Sequence, residues 1–212
     1  MYCIGITSFR LSVKKGLFKG YSLDEIRQLI AYLKQYEKTA FAKEVTFLDI
    51  DVAGATQLKI GEDDFDIQWT FDEYHKLLEG IVKMHKGKIF NRAGDGVVFI
   101  FQGKEQADRA VNAAIRTNQA LVDFNNKQNR LKSPVVVRIG INSGEVLMDK
   151  SIESGRVFSH ILDIAGHLQK EAGPCRILIG KETFSRLKEK TLCKEAGYSE
   201  KDKVLVYTID FL

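Results

Sequence analysis

Two strand-forming runs stand almost back to back in the middle of this chain, Lys88 to Asn91 and Gly96 to Gln102, with Ala93-Gly94-Asp95 as the tight turn between them. So short a connection forces the two strands to pair antiparallel, because a parallel pair needs a crossover of a dozen or more residues. Elsewhere strands and helices alternate, so this hairpin interrupts what otherwise reads as a βα repeat. The chain is therefore expected to be α+β, a ferredoxin-like or palm-type layer fold with a mixed, mostly antiparallel sheet and helices packed on it.

The remaining elements follow from periodicity and caps. Ser22-Leu23-Asp24-Glu25 is a capping box opening a helix to about Glu37, with Ile26, Leu29, Ile30 and Leu33 at helical spacing. Residues 44 to 51 read as a strand, and Thr70-Phe71-Asp72-Glu73 as the cap of a second helix. A third helix spans roughly Gln106 to Asn125, burying Ala110, Ala113, Ala114, Leu121 and Phe124. Val135 to Ile141 is an apolar strand, which Asn142-Ser143-Gly144-Glu145-Val146 is expected to turn back. Val157 to Lys170 suits a helix, Arg176 to Ile179 a strand, Lys181 to Lys188 a short helix and Val204 to Ile209 a closing strand. This divides the chain into an N-terminal extension over residues 1–40, with an amphipathic helix, and a domain over residues 41–212.

Composition narrows the class of function. The 212 residues, 44% of them hydrophobic, suffice for one full core. The formal net charge of +4 arises from 32 basic and 28 acidic residues spread along the chain, so no cationic block marks a nucleic-acid binder. Three dispersed cysteines, Cys3, Cys175 and Cys193, lack metal-ligand spacing and fit reduced thiols. The N-terminus does not read as a secretory signal, and no apolar run reaches the roughly 18 residues of a membrane helix. The expectation is a cytoplasmic protein with no membrane span and no nucleic-acid partner.

Two aspartates carry the chemistry. Asp51 closes the run from Val45, just before Val52-Ala53-Gly54-Ala55-Thr56, and Asp95 lies in the hairpin turn. Carboxylates on rigid strands beside glycines suit a divalent metal that carries a polyphosphate. Asp49, two residues earlier on the same strand face, is an alternative ligand to Asp51. Gly94-Asp95-Gly96 also has a plain structural reading, as an ordinary type I′ turn.

Four segments in this order resemble the catalytic domain of class III nucleotidyl cyclases, the adenylate and guanylate cyclases. Asp51-Val52-Ala53-Gly54-Ala55-Thr56 is similar to the family's Asp-Ile-x-Gly-Phe-Thr, and Gly94-Asp95-Gly96 matches its hairpin. Arg138-Ile139-Gly140-Ile141-Asn142-Ser143-Gly144-Glu145-Val146 resembles Arg-Ile-Gly-Ile-His-Thr-Gly-Glu-Val. Leu162-Asp163-Ile164-Ala165-Gly166-His167-Leu168 resembles Val-Asn-x-Ala-x-Arg-Leu. The resemblance covers about Val45 to Tyr207 and implies conversion of a nucleoside triphosphate to its 3′,5′-cyclic monophosphate and pyrophosphate. It implies two Mg²⁺ or Mn²⁺ ions per site, held by Asp51 and Asp95 with Val52 beside them, and phosphates met by Gly54, Ala55 and Thr56. It also implies a homodimer with composite active sites.

The same resemblance assigns further residues. Asp163 and His167 stand where the family has an asparagine orienting the ribose and an arginine stabilising transition-state charge. Four residues apart, they share a helix face and can pair as carboxylate and imidazolium. Lys201 and Lys203 are candidate triphosphate contacts. Asn91 and Arg156 occupy positions that read the base in purine cyclases, where lysine or glutamate and aspartate are usual. Their changed chemistry suits the carbonyl oxygens of a pyrimidine, UTP or CTP, as in standalone bacterial cyclases that make cyclic UMP or cyclic CMP in anti-phage signalling. The alternatives are a purine (adenylate) cyclase with atypical base contacts and a non-catalytic nucleotide-binding domain.

Overall fold

The structure, a computed structural model, describes residues 21–149 and 159–210. The chain separates into two compact units, residues 1–41 with 149–151, and residues 42–148 with 152–212. In the first unit, α1 (Leu23–Thr39) opens on the capping box seen in the sequence. The Ser22 N–H donates to Glu25 Oε2 at 2.7 Å and the Glu25 N–H to Ser22 Oγ at 3.2 Å, so two of the helix's end amides find acceptors.

From β1 onward the order is β1 (Ala40–Val52), α2 (Ala55–Leu58), α3 (Asp64–Met84), β2 (Lys88–Ala93), β3 (Gly96–Gln102), α4 (Gln106–Lys127), β4 (Val137–Asp149), α5 (His160–Glu171), β5 (Ile177–Gly180), α6 (Lys181–Arg186), β6 (Cys193–Ser199) and β7 (Val204–Ile209). The strands form one seven-stranded sheet in the order β2-β3-β1-β4-β5-β7-β6. β1 pairs antiparallel with β3, β2 with β3, β5 with β7 and β6 with β7, whereas β4 and β5 run parallel. The sheet is thus mixed and mostly antiparallel, the α+β layer fold expected from the hairpin.

Strand alternation sorts the two faces. Leu48, Ile50 and Val52 point into the main core with Val137, Ile139 and Ile141, under Tyr74 and Leu78 of α3 and the Ala110, Ala113, Ala114, Leu121 and Phe124 stripe of α4. Val45 and Phe47 point the other way, where they meet Ile161, Leu162 and Ala165 of α5. By the same alternation Asp49, Asp51, Arg138 and Gly140 lie on the α5 face. Gly140 allows α5 to sit close: a Cβ there would fall 2.2 Å from the Ala165 carbonyl oxygen and 2.3 Å from the Gln169 nitrogen.

Several boundaries differ from the sequence reading. The second helix starts at Asp64, not after Thr70. Asp63 caps it by accepting from the Phe65 N–H at 2.9 Å and the Asp66 N–H at 3.4 Å, and Asp64 and Asp66 supply the acidic first turn. Thr70 is buried within the helix, and its Oγ1 accepts from the Arg130 N–H at 3.1 Å. Asn142 to Val146 is no turn; β4 runs through it. The polar side chains find lateral partners instead: Ser143 Oγ lies 2.8 Å from Thr46 Oγ1 and 3.0 Å from Thr183 Oγ1, and Asn142 Nδ2 donates to the Ile161 carbonyl at 3.2 Å. The short helix α2 and the strand β6 carry no periodic pattern that announces them.

Candidate active site

The antiparallel pairing of β1 with β3 builds the site. Ile50 stands opposite Val97, which places Asp51 opposite Gly96, next to Asp95 in the β2–β3 turn. A Cβ on Gly96 would lie 3.3 Å from Asp51 Oδ1. The turn itself has a positive φ at Gly94 (63°) and none at Asp95, the pattern of a II′ turn rather than the I′ turn of the plain structural reading. Both carboxylates therefore come to one end of the sheet.

Each carboxylate faces a cation. Arg138 Nη2 donates to Asp51 Oδ2 at 2.6 Å, and Gln169 Nε2 from α5 donates to the same oxygen at 3.2 Å. Lys59 Nζ lies 3.9 Å from Asp95 Oδ1 and over the Phe71 ring. Arg138 Nε is buried without a hydrogen-bond partner among the described residues, a donor that an anionic oxygen would satisfy. Asp49 lies against α5 one turn from Gln169, with Oδ2 3.3 Å from where a Gly166 Cβ would stand. Burial, then the Asp51 charge, push its carboxyl up to about 6, with Lys170 opposing. Beneath the sheet end, burial and then the charges of Asp51, Asp95 and Asp49 hold the Tyr74 hydroxyl well above its usual range. That hydroxyl is also buried without a partner among the described residues.

The donor set fits a hard divalent cation. Asp51 and Asp95 are partly exposed carboxylates on fixed backbone, and Arg138 and Lys59 balance them as exchangeable partners. Val52 can take part only through its main chain, because its side chain is in the core. Among the described residues no group of three or more His, Cys, Asp or Glu converges as a self-sufficient metal cage. A metal here would draw its remaining ligands from phosphate and water, as polyphosphate-bound magnesium does.

Gly54, Ala55 and Thr56 form the start of α2: Gly54 is its N-cap, left-handed at φ 71° and ψ 29°, and its carbonyl accepts from the Leu58 N–H at 3.0 Å. The first turn of a helix leaves its amides without intrahelical partners. The Ala53 amide is not among the available ones, since it donates to the Val136 carbonyl at 2.9 Å. Asn91 is exposed on β2, beside a register shift between Ile89 and Asn91. Arg156 lies outside the described residues.

Asp163 and His167 do not pair with each other. Asp163 is exposed in the first turn of α5, whereas His167 Nδ1 donates to Asp202 Oδ1 at 2.8 Å. Lys201 Nζ donates to His167 Nε2 at 2.8 Å, and Lys203 Nζ to Glu200 Oε2 at 2.8 Å. No hydrogen bond or ion pair among the described residues joins this group to Asp51 or Asp95. Sequence reasoning missed Asp202, Gln169 and Lys59. Only Asp202, between two lysines already singled out, carried a signal.

Known proteins share this fold. Residues 37–209 match the family model described as "Adenylate and Guanylate cyclase catalytic domain". Among solved structures, the adenylyl cyclase CyaB from P. aeruginosa superposes with a TM-score of 0.72 at 20% identity, covering 80% of this chain and 95% of that one. The guanylate cyclase domain of RhGC from Catenaria anguillulae, in complex with GTP, gives 0.69 at 19% identity, covering 80% and 97%. Two curated proteins of Rhizobium meliloti (strain 1021), one named as a candidate adenylate cyclase and one uncharacterised, are 26% and 28% identical over 132 and 145 residues. These matches take in 62% and 66% of this chain but only 21% and 14% of those relatives. With its fold, its paired aspartates and a family match across 37–209, the chain belongs to the adenylate and guanylate cyclase catalytic domain family.

Proposed function

We propose that this chain is a working nucleotidyl cyclase that acts as a homodimer with Mg²⁺ or Mn²⁺ and converts a nucleoside triphosphate to its 3′,5′-cyclic monophosphate and pyrophosphate. The observation that carries the reading is the convergence of Asp51 and Asp95 at one sheet end, charge-balanced by Arg138 and Lys59 and flanked by the α2 turn. Bound metal would lower the charge on the triphosphate and acidify the attacking 3′-hydroxyl. This chain's own contribution is to hold the two carboxylates side by side through strand pairing and to present amides from Gly54 to Thr56 to phosphate oxygens. It also offers the unpaired Arg138 Nε–H to an anionic oxygen.

A pyrimidine triphosphate is our favoured substrate, because Asn91 offers an amide where purine cyclases have lysine or glutamate, and Arg156 offers donors where they have a carboxylate. The setting would be the anti-phage signalling of the similar standalone cyclases. A purine substrate is the second reading, favoured by the GTP of the Catenaria domain and the ATPαS bound in another similar structure, the catalytic core of a rhodopsin-guanylyl cyclase. In this reading Asp163 and His167 meet the aspartates across two copies, in the homodimer that the resemblance implies. Incubation with ATP, GTP, CTP and UTP in turn, with Mn²⁺, decides the substrate by chromatography of the product. A cyclic pyrimidine lost in Asp51→Ala and Asp95→Ala is the expected result. A cyclic purine would replace the favoured substrate with the second reading. Metal-dependent nucleotide binding with no cyclic product would replace the enzyme with a binding module.

A further inference from the structure

The β6–β7 connection carries Glu200, Lys201, Asp202 and Lys203 in succession, and the structure gives the two lysines different partners. Lys203 spends its charge on Glu200. Lys201 instead donates to a ring nitrogen, His167 Nε2, at 2.8 Å. A lysine ammonium only donates, so Nε2 must present its lone pair; an ionised carboxylate only accepts, so His167 Nδ1 must carry the proton that meets Asp202 Oδ1 at 2.8 Å. The two partners thus fix one neutral tautomer. Asp202 is in turn anchored: its side chain is 2% exposed, and Ser199 Oγ donates to its Oδ2 at 3.3 Å. The chain of bonds runs from a buried anion through an aimed imidazole to an exposed cation whose immediate partner is uncharged.

We propose that Asp202 and His167 are positioning residues that hold the Lys201 ammonium ready for the triphosphate of the substrate. The inference rests on the cyclase reading for the identity of the ligand. A free lysine on a turn loses side-chain entropy when it captures an anion; one already held by a neutral acceptor has lost part of it beforehand and keeps its charge for the ligand. An acidic partner in place of His167 would cancel that charge, as Glu200 does for Lys203.

The test joins a spectroscopic readout to kinetics. In ¹⁵N-histidine-labelled full-length protein above about pH 7.5, a pH at which an ordinary imidazole is neutral, His167 is expected as the Nδ1–H tautomer. Its Nε2 resonance should move in Lys201→Met, and both ring nitrogens should move towards tautomer averaging in Asp202→Asn. A non-cyclisable triphosphate analogue with Mg²⁺ should shift Nε2 in the wild type and not in Lys201→Met. In the cyclisation assay, Lys201→Met, His167→Gln and Asp202→Asn should each lower kcat/KM, Asp202→Asn by about tenfold, the lower end of the loss seen when the partner that orients a metal-bound histidine is removed. An Nε2–H tautomer in the wild type, or wild-type kinetics in all three variants alongside wild-type cyclisation, would overturn this inference and leave the cyclase reading standing. No cyclisation of any nucleotide, with the analogue still shifting Nε2 and bound more weakly by Lys201→Met, would overturn the cyclase reading alone.

Discussion

At the residue scale, Asp49 shows how a side chain can belong to a site without joining its bonds. It lies on the same strand face as Asp51 but under Gly166, where burial and the neighbouring carboxylate raise its affinity for a proton. A folded-state value of about 6, against 3.8 unperturbed, means the folded chain holds this proton more tightly than the unfolded one. Its contribution to stability is therefore full below about pH 4 and is lost as pH rises through about 6. In EDTA, Asp49→Asn should be more stable than the wild type at about pH 8, by up to about 3 kcal/mol, the free energy that corresponds to that rise in proton affinity. The gain should vanish near pH 4. Urea melts at the two pH values measure this; equal stability of the two proteins at the higher pH would show that Asp49 ionises without cost. The sequence does show that Asp49 and Asp51 compete for the role of ligand. It cannot show which of them α5 covers, because that depends on a helix more than a hundred positions away.

At the scale of elements, close approach of α5 to the sheet depends on Gly140. Gly140→Ala places a methyl group against the backbone of Ala165 and Gln169, so α5 must move, at a cost of about 1–3 kcal/mol. The same shift disturbs the Gln169 bond to Asp51, so the variant should lose both melting temperature and activity. A melting temperature within about a degree of wild type would contradict this packing, since a cost of that size moves the midpoint by several degrees. The hairpin makes a second check: Gly94 sits at φ 63°, and Gly94→Val should destabilise by about 1–2 kcal/mol because a side chain there meets its own backbone. Legibility follows the strength of local signals. The capping box of α1, the hairpin and the alanine stripe of α4 are readable because each is written in neighbouring residues. The true start of α3 is harder to see, because the threonine-led box at Thr70 competes with the plainer Asp63-Asp64-Phe65-Asp66 start. The run from Asn142 to Val146 resembles a turn because polar residues in a strand need lateral partners, here Thr46, Thr183 and Ile161, that only the tertiary fold supplies.

At the scale of the whole molecule, the described residues hold two polar groups: Asp51 and Asp95 with Arg138 and the α2 turn, and the Lys201–His167–Asp202 group at the β6–β7 turn, which the proposed homodimer would bring together as halves of one site. Four motifs in register make the family legible from sequence, whereas the Lys201–His167–Asp202 chain of bonds becomes visible only with the fold. If two copies complete each other, specific activity should fall on dilution as the homodimer dissociates, followed by gel filtration at matching concentrations. Activity that stays constant while the protein becomes monomeric would remove the homodimer. The most direct measurement is complementation. Asp51→Ala and Lys201→Met are purified separately, mixed, and assayed for cyclic nucleotide with Mn²⁺. A shared site predicts that each variant alone is nearly inactive and that the mixture recovers activity, because a mixed dimer contains one site with both halves intact. A mixture no more active than its components, beside an active wild type, would contradict the account by placing the whole site within a single chain.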